Sequence, residues 1–126
     1  MLNTCYKPQI FVYPIAPVAK PRMTQCDKWK LRPGVARYFD FKDQCRLYQV
    51  YLPPFGATVR FEMPMPRSWS LKKKNEMAGR PHQQVPDLDN LIKGLADAVY
   101  KDDSKIWHYH GLSKVWSWSP AIVIEY

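Results

Sequence analysis

Two short acidic blocks carry the residues most able to do chemistry in this chain. They are Asp87-Leu88-Asp89-Asn90-Leu91-Ile92-Lys93 and Asp102-Asp103. Four carboxylates, a carboxamide and an ammonium group thus fall within seventeen positions of a protein whose formal charge is +8. Most of the chain attracts phosphate, and this patch repels it unless a cation reverses the local sign. Carboxylates are the hard oxygen donors that Mg²⁺ or Mn²⁺ takes in octahedral geometry. An ion held by Asp87, Asp89 and Asp103 beside a nucleic-acid backbone would polarise a phosphoryl oxygen and help ionise water, which is the chemistry of phosphodiester hydrolysis. Lys93 could offset the negative charge gathered in the transition state. Asn90 could orient a ligating carboxylate or a water.

These groups need elements to position them. Leu88, Leu91, Ile92, Leu95 and Val99 recur at i, i+3, i+4, i+7 and i+11, which predicts one apolar stripe on a helix of about thirteen residues. Asp89, Asn90, Lys93 and Asp97 fall on its other side. Asp87 and Asp89 flank one residue at the helix start, where the backbone has not settled into helical pitch and both carboxylates can converge. Asp89 and Lys93 stand four apart on one face. Asp103 follows the helix, and a return of the chain would bring it to the same point. Three carboxylates meeting without a cation would have raised pKa values. Each residue also has a plainer structural role. Asp87 can cap the helix, Asp89 can favour its dipole or pair with Lys93, and Asp102-Asp103 can form a turn.

Elsewhere, Ile10 to Tyr13 read as a short buried strand. Pro14 to Arg37, with four prolines and the cations Lys20, Arg22, Lys28, Lys30, Arg32 and Arg37, reads as a long basic loop. Asp40 is expected to cap a helix reaching about Tyr51, with Phe41, Cys45 and Tyr48 inward and Pro53-Pro54 as its stop. Ala57, Val59, Phe61 and Met63 alternate with polar residues, which predicts a half-buried strand. Ser70 would cap a short helix to Ala78, closed by Gly79 and carrying Lys72-Lys73-Lys74. Residues 105–110 and 120–126 read as two closing strands. The order β-α-β-(short α)-α-β-β predicts an α+β fold, a small mixed sheet with helices packed against it.

The 126 residues fit one domain, 1–126, and 46% apolar content supports a normal core. No apolar run is long enough to cross a bilayer, and the N-terminus lacks the order of a signal peptide, so a cytosolic protein without membrane contact is expected. The three cysteines, Cys5, Cys26 and Cys45, lack zinc-finger spacing and read as reduced thiols. The cationic excess suits a polyanion. Lys72, Lys73 and Lys74 either contact phosphate or form a solvated helix face. Trp69, Trp107, Trp116 and Trp118 either stack on unpaired bases or, for most of them, pack internally. His108 and His110 alternate on the last-but-one strand as surface residues. Zinc binding with His82 is the lesser alternative.

The run Asp87 to Ala98 and the block Tyr100-Lys101-Asp102-Asp103-Ser104 resemble the RusA family of Holliday-junction resolvases, found in bacteria and their phages. Pro17 to Arg22 is similar to that family's N-terminal proline-and-basic segment, and Trp69-Ser70 to His82 to its basic insert. The link from the helix to Asp102 is shorter than the glycine-containing turn of many members. The resemblance implies a RusA-like fold and a homodimer that cuts two opposed strands of a four-way DNA junction with Mg²⁺. It implies Asp87, Asp89 and Asp103 as the essential acids, Lys93 as the essential lysine and Asp102 as the adjacent acid. Lys20, Arg22, Lys72, Lys73, Lys74 and Arg80 are the expected phosphate contacts. Two other functions compete: a non-catalytic basic DNA-binding module, and a nuclease for other branched or single-stranded DNA.

Overall fold

The computed structural model describes residues 8–22 and 33–126. Among these, the strands are Ile10–Tyr13 (β1), Ala57–Pro64 (β2), Tyr109–Ser117 (β3) and Ala121–Glu125 (β4). The helices are Pro33–Leu47 (α1), Leu71–Met77 (α2) and Leu88–Val99 (α3), with a 3₁₀ turn at Asp103–Lys105. The element order is the predicted one, and the fold is α+β. The four strands form one mixed sheet in the order β1-β4-β2-β3. β2 pairs antiparallel with β4 and parallel with β3. A parallel pair cannot be closed by a tight turn, so the chain crosses over between β2 and β3. That crossover contains α2, α3 and the 3₁₀ turn, and with them both acidic blocks.

The alternation along β2 decides which face of the sheet is covered. Ala57, Val59, Phe61 and Met63 are buried, while Arg60 is exposed. Val59 and Phe61 lie beside Ile124 and Ile122 of β4. Tyr38, Phe41 and Cys45 of α1 and Leu91, Ile92, Leu95 and Ala96 of α3 pack on this face. Leu88 and Val99, at the two ends of the predicted stripe, are only partly buried against it. Excluding water from this apolar face fixes α3, since a helix with one apolar stripe has one way to sit on a sheet.

Four expectations need correction. β1 is a strand but not a buried one: it lies at the sheet edge, paired only with β4, and Ile10 and Val12 are exposed. The first helix begins at Pro33, not Asp40. Proline is suited to a first helical position because its fixed φ is helical and its missing N–H would be unpaired there. Asp40 is therefore inside the helix, where it accepts from Gln44 Nε2 at 3.4 Å. The helix ends at Leu47, before Pro53-Pro54. Gln49 takes a φ of 53°, the Val50 N–H donates to Cys45 O at 3.0 Å, and Val50 is buried while Tyr48 is exposed. The third strand is Tyr109–Ser117 rather than residues 105–110. Residues 103–105 turn instead, and the Trp107 N–H is drawn off to Pro54 O at 3.0 Å.

The predicted short helix is confirmed at its cap, since Ser70 Oγ accepts from the Lys73 N–H at 3.2 Å. Gly79 follows with a φ of 82°, a conformation that L side chains rarely adopt. Cys45 is a free, buried thiol, and burial pushes its pKa up to about 11. Cys5, Cys26, Lys28, Lys30 and Arg32 lie outside the described residues. No helix among the described residues is long and apolar enough to cross a membrane.

Candidate functional site

Asp87 occupies the N-cap position of α3 in extended backbone conformation, and its side chain makes no capping hydrogen bond. Its backbone carbonyl accepts from the Leu91 N–H at 3.1 Å, so the helix starts without using the carboxylate. Asp89 is exposed in the first turn. Among the described residues neither carboxylate has an ion-pair partner, and Asp89 and Lys93 are not paired with each other. Capping and local ion pairing thus leave these oxygens unspent, although the first-turn position still favours negative charge.

The second block divides its labour. Asp102 accepts from the Ser104 N–H at 3.0 Å and so closes the 3₁₀ turn. Hydrogen bonds from Ser104 hold its carboxyl below the usual carboxylate range. The neighbouring Asp103 side chain is exposed. It lines a cavity of about 220 Å³ with Ile92, Lys93, Ala96, Ile106 and Tyr109. The turn after α3 therefore does return the chain to the helix, and Asp103 faces the same hollow as Lys93. Burial, then the charge of Asp103, pushes the Tyr109 phenol up to about 12. Tyr109 is protonated at neutral pH, as a tyrosine ordinarily is, and lines that hollow beside Asp103.

A second cavity, of about 470 Å³, is lined by Lys20, Pro21, Arg22, Asn90 and Lys93. Lys93 faces both cavities. Asn90 stands three residues before it and Asp89 four, within about one helical turn. Asp87, Asp89 and Asp103 offer oxygens only, and this donor set suits a hard divalent cation. Geometrically the set is open: no three His, Cys, Asp or Glu residues among those described form a group able to hold a metal ion.

Glycine in the middle of α3 explains how the basic segment reaches the site. A Cβ at Gly94 would lie 2.9 Å from Val18 O and 3.0 Å from Lys20 N, too close for either backbone atom. Without one, residues 18–20 lie directly on the helix, and the Lys20 N–H donates to Asn90 O at 3.3 Å. Tyr38 Oη donates to Gly94 O at 2.9 Å, and its ring also lies against this glycine. Lys20 Nζ sits 2.5 Å from Asp97 Oδ2, so its charge is already matched. These contacts place Pro21 and Arg22 beside Asn90 and Lys93.

The approach to Asp87 is held from β3. Phe61 and Lys114 are register partners, so Lys114 lies on the covered face of the sheet. Its Nζ donates to Gln84 O at 2.5 Å and Pro86 O at 2.6 Å. The segment before this loop joins the β3 edge: Gly79 N–H donates to Trp116 O at 2.8 Å, and His82 N–H to Lys114 O at 3.0 Å. α2 thereby stands beside the sheet edge with Lys72 and Lys73 exposed and Lys74 half-buried. Lys73 Nζ lies 4.5 Å above the Trp69 ring, and Arg80 is exposed.

Sequence reasoning missed Lys114, Gly94 and Tyr109. A lysine at an inward position of an otherwise apolar alternation, and a glycine inside a strong helical stripe, were the available signals for the first two. It also missed a basic cleft of about 680 Å³ at the far end of α3, lined by Lys20, Lys42, Arg46, Lys101 and Asp97 among others. That cleft is larger than the two cavities at Lys93, but it holds none of the acids of the two blocks. His82 is not a surface residue: it is 5% exposed, packs 4.2 Å from the Trp116 ring centroid, and its Nδ1 has no hydrogen-bond partner among the described residues. His108 precedes β3 and accepts from the Gly56 N–H at 3.1 Å through Nδ1. The tryptophans differ: Trp116 is buried and Trp69 is tilted against it, whereas Trp107 and Trp118 are exposed.

Residues 14–126 match the family described as Endodeoxyribonuclease RusA. The chain belongs to the RusA family, and is therefore an enzyme of the endodeoxyribonuclease class. It is also 31% identical to the uncharacterized protein YqaN of Bacillus subtilis (strain 168), over 95% of this chain and 94% of that protein. No solved structure matches the chain.

Proposed function

We propose that this protein, as one nuclease domain, is a Mg²⁺-dependent, structure-specific endonuclease that resolves four-way DNA junctions by cutting two opposed strands. The observation that carries the reading is the shared hollow of Lys93 and Asp103, with Asp89 and Asn90 one turn away on the same helix. Asp87, Asp89 and Asp103 would hold the ion, with Mn²⁺ as a substitute. A bound divalent ion supplies Lewis-acid polarisation of the phosphoryl group and a more acidic water. Lys93 places a positive charge where the transition state gathers negative charge. Asn90 orients one carboxylate or the attacking water, and Asp102 keeps Asp103 on its turn. Tyr109, protonated at working pH, donates a hydrogen bond to Asp103 or to the phosphate. Arg22, Lys72, Lys73, Lys74 and Arg80 hold the backbone phosphates, with Lys20 strapped to the helix between them.

A two-fold junction calls for a symmetric dimer, and the reading includes one, acting in the cytosol of a bacterium or of a phage-infected cell. The open arrangement of the carboxylates favours one rival, a non-catalytic basic DNA-binding module. The experiment is a panel of four-way junction, flap, fork and duplex, each with Mg²⁺ or with chelator. Paired symmetric nicks in the junction with Mg²⁺ support the proposal. Products from flaps or forks alone redirect it to another branched substrate. Salt-sensitive binding without Mg²⁺-dependent products overturns it in favour of the binding module.

A further inference from the structure

Phe55 and Trp107 are 57% and 71% exposed, yet they are not scattered surface aromatics. Their rings are stacked, with centroids 5.5 Å apart and planes within 6° of parallel. At that centroid distance the rings are offset, so each keeps free face. The backbone holds the pair in place. Trp107 N–H donates to Pro54 O at 3.0 Å, and Gly56 N–H donates to His108 Nδ1 at 3.1 Å. Gly56 takes a φ of 80° in doing so. The loop before β2 and the segment before β3 are thereby joined, and they hold two stacked, solvent-exposed rings side by side. Leaving so much aromatic area in water is unfavourable without a partner.

The position of the pair identifies the partner. Trp107 follows the Asp103–Lys105 turn, only four residues beyond Asp103. Four residues span at most about 14 Å, which is about four nucleotide steps of a DNA strand. Lys101 and Lys105 are exposed on either side of Asp103, in a chain of formal charge +8. A flat π surface beside phosphate-attracting charge is the arrangement that binds unpaired bases. We infer that Phe55 and Trp107 form a stacking site for an unpaired DNA base at the branch point, next to the strand to be cut. The inference takes its substrate from the nuclease reading but concerns binding, so the two can fail separately.

The test is a binding cycle without divalent ions, in which cutting does not occur. Fluorescence anisotropy compares a four-way junction carrying its normal branch-point bases with the same junction made abasic there, for the wild type and Trp107→Ala. Wild type should bind the intact junction roughly 5- to 150-fold more tightly than the abasic one. Trp107→Ala should bind both alike, at the abasic level, because the base and the ring contribute only together. Trp107→Phe should retain most of the preference, and Phe55→Leu should reduce it if Trp107→Ala does not fold. The inference is overturned if wild type does not bind junctions or is indifferent to the missing bases. Equal loss by Trp107→Ala on both junctions overturns it too, as does conversion of a dimer to a monomer by that change. If the base preference holds and Mg²⁺ yields no products, the stacking site stands and the nuclease reading falls.

Discussion

Replacing Asp89 by Asn keeps the size of the side chain and removes its charge, which makes it the sharpest single-residue probe of the site. Asp89 is exposed and unpaired among the described residues, so the change should leave the fold intact. Cutting should fall at least about 100-fold, because a neutral amide is a poor ligand for a hard cation. Junction binding without metal should be unchanged or tighter, since one charge repelling phosphate has gone. Cleavage gels and anisotropy on the same preparation would show both effects, and unchanged cutting would remove Asp89 from the site. His82 offers a probe of a different kind. Burial, then Lys114, lowers its pKa below the ordinary 6.5. The unfolded chain then takes up this proton more readily than the folded one. Stability from neutral His82 is complete above about pH 6.5 and is lost as pH falls below it. The thermal midpoint should therefore drop between pH 7.5 and 5.5, and His82→Phe, which keeps a ring against Trp116, should flatten that drop. At this scale the sequence pointed to the candidate acids by type and spacing, and the structure adds that Asp103 lines one hollow with Lys93. Tyr109 was not legible there, because its importance comes from a neighbour six residues away that only the turn brings back.

Among the elements, α3 links core and site. Its apolar stripe announced both its length and its buried face, and the structure differs from that expectation by a single residue in length. What the periodicity could not show is the strap of residues 18–20 against Gly94, because a glycine in a helix has no pattern of its own. Gly94→Ala should improve helix propensity by up to about 1 kcal/mol yet force two backbone atoms away. Overpacking of this sort costs about 1–3 kcal/mol, which leaves a net loss of up to about 2 kcal/mol after the full propensity gain, so Tm should fall by up to about 8 °C. A rise in Tm, measured by circular dichroism, would show that the strap yields easily. The loop before α3 is held by Lys114, a positioning residue. Lys114→Met removes the donors to the Gln84 and Pro86 carbonyls, and kcat should drop about ten- to a hundredfold with little change in KM. Partial rescue by Lys114→Arg would separate positioning from mere loss of packing. β3 was misplaced because Lys114 interrupts its inward apolar residues, and α1 was read late because Pro33 and Gly34 look like loop. For β3 a tertiary contact of Lys114 overrules the local pattern, whereas the start of α1 follows a local rule, the fitness of proline for the first helical position.

For the whole molecule, the crossover between parallel β2 and β3 is the device that makes a site from a small sheet. It must span the sheet, so it has room for α2 with its lysines, α3 with one acidic block and the 3₁₀ turn with the other. In the proposed function the surrounding charge of +8 would draw DNA to all of these, and the acidic blocks would take the cation. The most direct measurement is anomalous diffraction from a crystal of this protein soaked in Mn²⁺. A single strong peak bonded to carboxylate oxygens of both α3 and the Asp103 turn, with Asp89 among them, is the predicted result. No peak, with those oxygens turned apart, would contradict it.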